Sequence, residues 1–74
     1  MVMYEAGMLA RSKAGHDKAQ MYIIKEVDDT YVYLVDGRIR TLGHPKKKKK
    51  KHVQIVHGIY NMKELDDAGI RKLI

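Results

Sequence analysis

The sequence predicts a mainly β protein: a small closed or half-closed barrel of about five strands, with a short C-terminal helical segment. Three observations point there. Between residues 8 and 56 the chain carries short runs rich in Val, Ile, Tyr and Thr, residues that suit a pleated, half-buried surface. Turn-forming residues, above all Gly15 and Asp36-Gly37, separate those runs. After Asn61 the texture changes to "NMKELDDAGIRKLI", which no longer alternates. A chain of 74 residues makes one domain at most, and one this short buries only roughly 60% of its unfolded surface.

The strands follow in order. "MLARS" (8–12) is short and mixed; "AQMYIIKEV" (19–27) is rich in β-formers. "TYVYLV" (30–35) is the clearest, placing Tyr31, Tyr33 and Val35 on one face and Val32 and Leu34 on the other. Asp36-Gly37 favours a two-residue type I′ hairpin, so "RIRTL" (38–42) is predicted as the returning partner strand. "HVQIV" (52–56) supplies the fifth run, and closing five such strands gives a small barrel. At the C-terminus Asn61 and Glu64 have capping-box spacing. Met62 and Leu65 are predicted to pack back on the barrel, Gly69 to break or cap the helix, and Ile70, Leu73 and Ile74 to form a second apolar group. Fourteen residues are marginal as an isolated helix, so one or two turns are expected, ordered where they touch the barrel. The division is a barrel over 1–58 and a helical extension over 59–74, without internal repeats.

Charge is distributed unevenly. The formal net charge is +6, from 15 Lys and Arg against 9 Asp and Glu. Six of the cations are Lys46, Lys47, Lys48, Lys49, Lys50 and Lys51, which leaves the rest of the chain neutral. A polyanion is the natural partner for a neutral body with one cationic segment. There is no cysteine, so neither disulfides nor a thiolate zinc site staples the fold. No apolar stretch approaches the ~20 residues of a membrane span, and "MVMYEAGMLARS" lacks the charged-then-apolar order of a signal peptide. A soluble, cytoplasmic protein is expected.

The lysines follow Pro45, which removes an amide donor and pushes His44 away from helical geometry. A helix would place like charges at every i,i+3 and i,i+4 pair, so an extended or disordered segment is expected. If it is extended, Lys46, Lys48 and Lys50 face one way and Lys47, Lys49 and Lys51 the other. One nucleic-acid strand then meets about three of them, whereas a segment between two backbones uses all six. A solvated linker, a nuclear-localisation signal and an anionic-membrane patch compete with this reading. Nucleic-acid binding is favoured because Lys13, His16 and Lys18 in "SKAGHDKA", together with Arg38 and Arg40, add cations elsewhere. Gly15 can take positive φ and let a phosphate approach bare amides. Taken alone, that loop reads as a polar turn with an exposed Asp17–Lys18 pair. Tyr31 and Tyr33 read as sheet-face residues before base-stacking platforms.

Catalytic chemistry is not expected. Ser12 is the only serine, and His16 and Asp17 are adjacent, which is poor geometry for a base and its orienting carboxylate. His44, His52 and His57 lack metal-ligand spacing, and no phosphate-cradling glycine loop is present. No cofactor or small-molecule substrate is predicted.

"GMLARSKAGHDKAQMYIIKEV" followed by "YVYLVDGRIRTLGHPKKKKKKHVQ" resembles the KOW-domain family of RNA-binding proteins, in the branch similar to the fourteen-e type of large-subunit ribosomal protein. The features that carry the resemblance are Gly7 opening the first strand, the "SKAGHDKA" loop, the "YVYLVDGR" hairpin and the "PKKKKKKH" segment, across residues 6–56. It implies an SH3-like barrel that binds ribosomal RNA. It marks as contacts Lys13, Gly15, His16 and Lys18 in the loop, Arg38 and Arg40, and the lysines 46–51, to which His52 is added. Ala19 stands where such proteins usually carry glycine. Alanine disfavours positive φ by roughly 1 kcal/mol or more, so either the loop shifts shape or Gly15 takes the tight position. The expected function is ribosome-associated RNA-backbone binding by a monomer. The alternatives are a protein-interaction module docking through Tyr31 and Tyr33, or a free RNA-binding regulator.

Overall fold

Apolar residues occupy both faces of the central strands, so the sheet must be covered twice. The computed structural model describes residues 3–13 and 20–74, apart from the His57 side chain. Its strands are β1 (Met8–Ser12), β2 (Met21–Val27), β3 (Tyr31–Val35), β4 (Lys46–Lys49) and β5 (Val53–Ile59). They form one antiparallel sheet in the order β4-β3-β2-β1-β5, curled into the small SH3-like half-barrel that the sequence predicts. Single-turn 3₁₀ segments lie at Lys50–His52 and Met62–Glu64, and helix α1 spans Asp67–Leu73.

The inner face holds Ala10, Tyr22, Ile24, Val32, Leu34 and Val53, with Tyr4, Met8, Val27 and Ile55 packed around them. The outer face carries Ile23 and Val35, and Ile70 of α1 covers them together with Leu42, Met62, Leu65 and Leu73. The alternation expected along β3 is therefore present: Val32 and Leu34 point inward, while Val35 belongs to the outer cluster.

The main correction concerns the fourth strand. "RIRTL" does not return alongside β3; the lysines do, with Leu34 opposite Lys46 and Tyr31 opposite Lys49. The reason is local. The buried Asp36 carboxylate accepts from the Arg38 and Arg40 amides at 2.8 and 3.0 Å, and the Asp36 and Gly37 amides donate to the Arg40 carbonyl. Those bonds curl residues 36–40 into a compact loop instead of a two-residue hairpin. Ile39 is 84% exposed, which suits a loop tip and not a strand facing a core. Strand ends shift as well. Thr30 lies in the turn because its amide donates to Asp28, and β5 starts after His52 and runs on to Ile59. Ala19 lies outside the described residues.

Gly69 neither breaks nor ends the helix; it lies inside α1, where its amide donates to the Asp66 side chain at 2.8 Å. Asp66 is thus the N-cap, a position that Asp favours strongly. Asn61 caps only the 3₁₀ turn, accepting from the Lys63 amide. Helix α1 also holds the 36–45 loop: the Leu42 amide donates to Asp67 at 2.8 Å, and Arg71 donates to the Gly37 carbonyl at 2.7 Å. Gly37 has φ +76°, and a Cβ there would collide with the Asp67 carbonyl. Gly7, at φ +96°, likewise faces the Tyr60 backbone too closely for a side chain.

Two stability predictions follow from this packing. Ile70→Ala removes the side chain that seals the outer cluster and is expected to cost about 2–5 kcal/mol in urea unfolding; a loss below about 0.5 kcal/mol would mean that α1 adds little to the fold. Gly37→Ala is expected to destabilise by at least about 1 kcal/mol and to lower the protection of the Leu42 amide in hydrogen exchange.

Candidate nucleic-acid interface

β4 is an edge strand made of four lysines. Its backbone is paired to β3, and its side chains divide between two faces. Lys46 and Lys48 lie opposite Leu34 and Val32 and are half-buried, while Lys47 and Lys49 lie opposite Tyr33 and Tyr31 and are exposed. Side chains of one face are two residues apart, about 6.8 Å, where two ammonium groups repel by about 0.6 kcal/mol in water. Lys47 Nζ sits 4.2 Å from the centroid of the Tyr31 ring. At an exposed site a cation over such a ring gains about 0.5–1 kcal/mol, enough to offset that repulsion. The tyrosines are sheet-face residues, as expected from the sequence, and Tyr31 also seats a lysine.

The expected alternation ends at Lys49. Lys50, Lys51 and His52 form the 3₁₀ turn that crosses from one edge of the sheet to the other. That turn is pinned on several sides. The Lys50 amide donates to the Thr30 carbonyl at 3.0 Å, and Lys50 Nζ donates to the Asp29 carbonyl at 3.2 Å and lies near the Tyr4 ring. The Tyr4 hydroxyl donates to the Lys50 carbonyl at 3.0 Å. The Lys13 amide donates to the His52 carbonyl at 2.8 Å. Lys13, at the start of the first loop, is thereby joined to the end of the lysine segment. Gly15, His16 and Lys18 lie outside the described residues.

Arg38 and Arg40 are brought to β4 by the loop that displaced the expected strand. With Lys46, Gln20, Tyr22, Asp36 and Ile39 they line an open cleft of about 510 Å³. Gln20 and Ile39 were not singled out from the sequence. Gln20 carries no charge to mark it, and Ile39 reads as a strand residue until Asp36 is seen to curl the loop.

No known family model matches this chain, and no curated protein matches it. What this surface can do is set by its own residues. Among the described residues no helix is long and apolar enough to cross a membrane. The cations on the β4 edge and around the cleft are lysine and arginine side chains. They can bind phosphate by charge and by donated hydrogen bonds, Arg in a bidentate fork.

Asp28 shapes the tyrosine face, and nothing in the sequence pattern marks it. Its carboxylate accepts from the Tyr31 and Thr30 amides at 2.7 and 2.9 Å, and from the Tyr33 hydroxyl at 2.9 Å. These bonds, led by the Tyr31 amide and helped by the nearby Lys47 charge, hold the carboxyl below its usual 3.8. The same bond to Asp28 pushes the Tyr33 phenol above its usual 10.0. A lowered carboxyl contributes stability above the unfolded-state value and loses it as pH falls through the folded one. The Asp28 carboxyl carbon is therefore expected to titrate below 3.8 by NMR, with the Tyr31 amide shift moving in the same step. Asp28→Asn should abolish that step, and a midpoint at or above the ordinary value would contradict the hydrogen-bonded turn.

Proposed function

We propose that this protein binds structured RNA through its phosphate backbone, using the lysine edge strand as the main contact, and that its target lies on the large ribosomal subunit. The observation that carries the reading is that the six lysines are not a tail. Four are fixed as a strand, and the other two stand in a turn tied to Thr30, Tyr4 and Lys13. Binding by such an array costs less side-chain and backbone freedom than ordering a free tail, where each residue fixed costs about 1–2 kcal/mol of backbone entropy. Lysine contacts with phosphate carry no base information, so sequence preference is weak. Assignment to the ribosome rests on the sequence motifs "SKAGHDKA", "YVYLVDGR" and "PKKKKKKH"; phosphate binding rests on the charge array.

A docking module acting through Tyr31 and Tyr33 has less support. The Tyr31 ring is already under Lys47, and the Tyr33 hydroxyl is tied to Asp28, so neither ring is a vacant apolar anchor. A free RNA-binding regulator would share the surface and differ only in its company.

Replacing Lys46 to Lys51 with glutamine is expected to weaken binding by at least 10-fold at 0.1 M salt, to the same extent for several unrelated structured RNAs. A loss confined to one sequence would contradict backbone contact. In gradient sedimentation of a native extract the protein should travel with large subunits and be released by high salt. Persistent absence from that fraction, with RNA binding intact in vitro, would leave the free-regulator reading.

A further inference from the structure

We infer that the RNA element bound is double-helical and that β4 works as a ridge between its two backbones. This rests on the RNA-binding reading above and goes beyond it in naming the form of RNA. Edge position is the first reason: among the described residues β4 pairs with β3 alone, and its side chains alternate between the two faces beside that free edge. The second reason is the distribution of cations on those faces. Lys47 and Lys49 are exposed on the tyrosine face. Arg38 and Arg40 surround the cleft on the other side, where Lys46 joins the lining. Lys46 and Lys48 already make contacts within the chain, so the two rows that matter are Lys47/Lys49 and Arg38/Arg40.

The rows stand on opposite sides of one strand. A single phosphodiester strand can lie along one of them but cannot follow both without doubling back. Two backbones running on either side of a groove meet both rows at once. Double-stranded RNA offers that arrangement to a protein, and it is recognised mostly through shape, phosphate and 2′-hydroxyl contacts. The loop bearing Arg38 and Arg40 is held at a fixed position by Asp36 and by α1 through Asp67 and Arg71. The backbone that carries the second row is therefore preset relative to the strand. Arg is also the better residue for the cleft side, since its planar fork grips phosphate in two bonds.

The test compares a 20-base-pair RNA duplex with a 20-nucleotide single strand of low structure, using the whole protein and fluorescence anisotropy across salt concentrations. Two rows of two cations on a duplex give a slope of log K against log[salt] near about −3.6, whereas one row on a single strand gives about −1.4. R38Q/R40Q and K47Q/K49Q should each flatten the duplex slope by about 1.8, and R38K/R40K should restore it. Equal slopes for the two RNAs overturn the inference, as does a duplex slope that R38Q/R40Q leaves unchanged. Either result leaves RNA binding itself standing. If neither RNA shows salt-dependent binding, the underlying reading of the surface fails as well. The wild-type comparison needs no variant, so a substitution that unfolds the protein does not obscure the answer.

Discussion

A ladder of backbone hydrogen bonds between β3 and β4 holds four consecutive lysines extended at the edge of the sheet. Each such bond is worth about 1 kcal/mol net, and it forms whatever the side chains are. Repulsion between like charges acts only through side chains, and the pleat sends neighbours to opposite faces. Spaced by two residues, the ammonium groups of one face repel by about 0.6 kcal/mol, less than a single ladder bond supplies. A helix would have stacked the same charges at every turn. A strand suits the first four lysines for that reason, and it decides where their charge stands relative to the barrel.

What fixes the ladder is the loop before it. Asp36 draws the Arg38 and Arg40 amides onto its carboxylate, which leaves the edge of β3 vacant until the chain has passed Pro45. Pro45 suits the entry, since a proline is tolerated just before or at the first residue of an edge strand. Helix α1 then grips the loop from outside through Asp67 and Arg71. Ile70 is completely buried by the contact. The C-terminal segment is in this sense part of the charged surface: through Asp67 and Arg71 it holds the loop that carries Arg38 and Arg40.

The barrel was legible because its signals are short-range and redundant. Val32 and Leu34 alternate with Tyr31 and Tyr33, and Met62 and Leu65 pack back on the sheet as predicted, on its outer face. The misplaced strand has a definite physical cause. "RIRTL" looks more like a strand than "KKKK" on residue preference alone, but preference ignores a buried carboxylate that captures two backbone amides. Preference also penalises lysine for reasons that lapse at an edge, where charged side chains reach water. The role of Gly69 is hidden in the sequence for a similar reason. A glycine near a helix end often marks its C-terminus, whereas here Asp66 caps the segment and needs the Gly69 amide. The cleft was illegible, since Gln20 and Arg40 meet Lys46 only after the sheet has formed.

Lysines on an edge strand have a simpler use: they discourage a second sheet from pairing there. That use accounts for charge on β4 and for nothing else. One or two inward-pointing or exposed lysines suffice to blunt an edge, and the cation row continues past the strand into Lys50 and Lys51, where there is no ladder to protect. Edge protection also gives no reason for Arg38 and Arg40 to be tied in place beside the strand, nor for the first loop to be joined at Lys13 to the His52 carbonyl. A surface that only needed to repel its own kind would have no use for such fixed positions. Fixed backbone positions for cations on both sides of a ridge matter when the opposing charges are themselves regularly spaced, and the backbones of a nucleic-acid helix meet that condition.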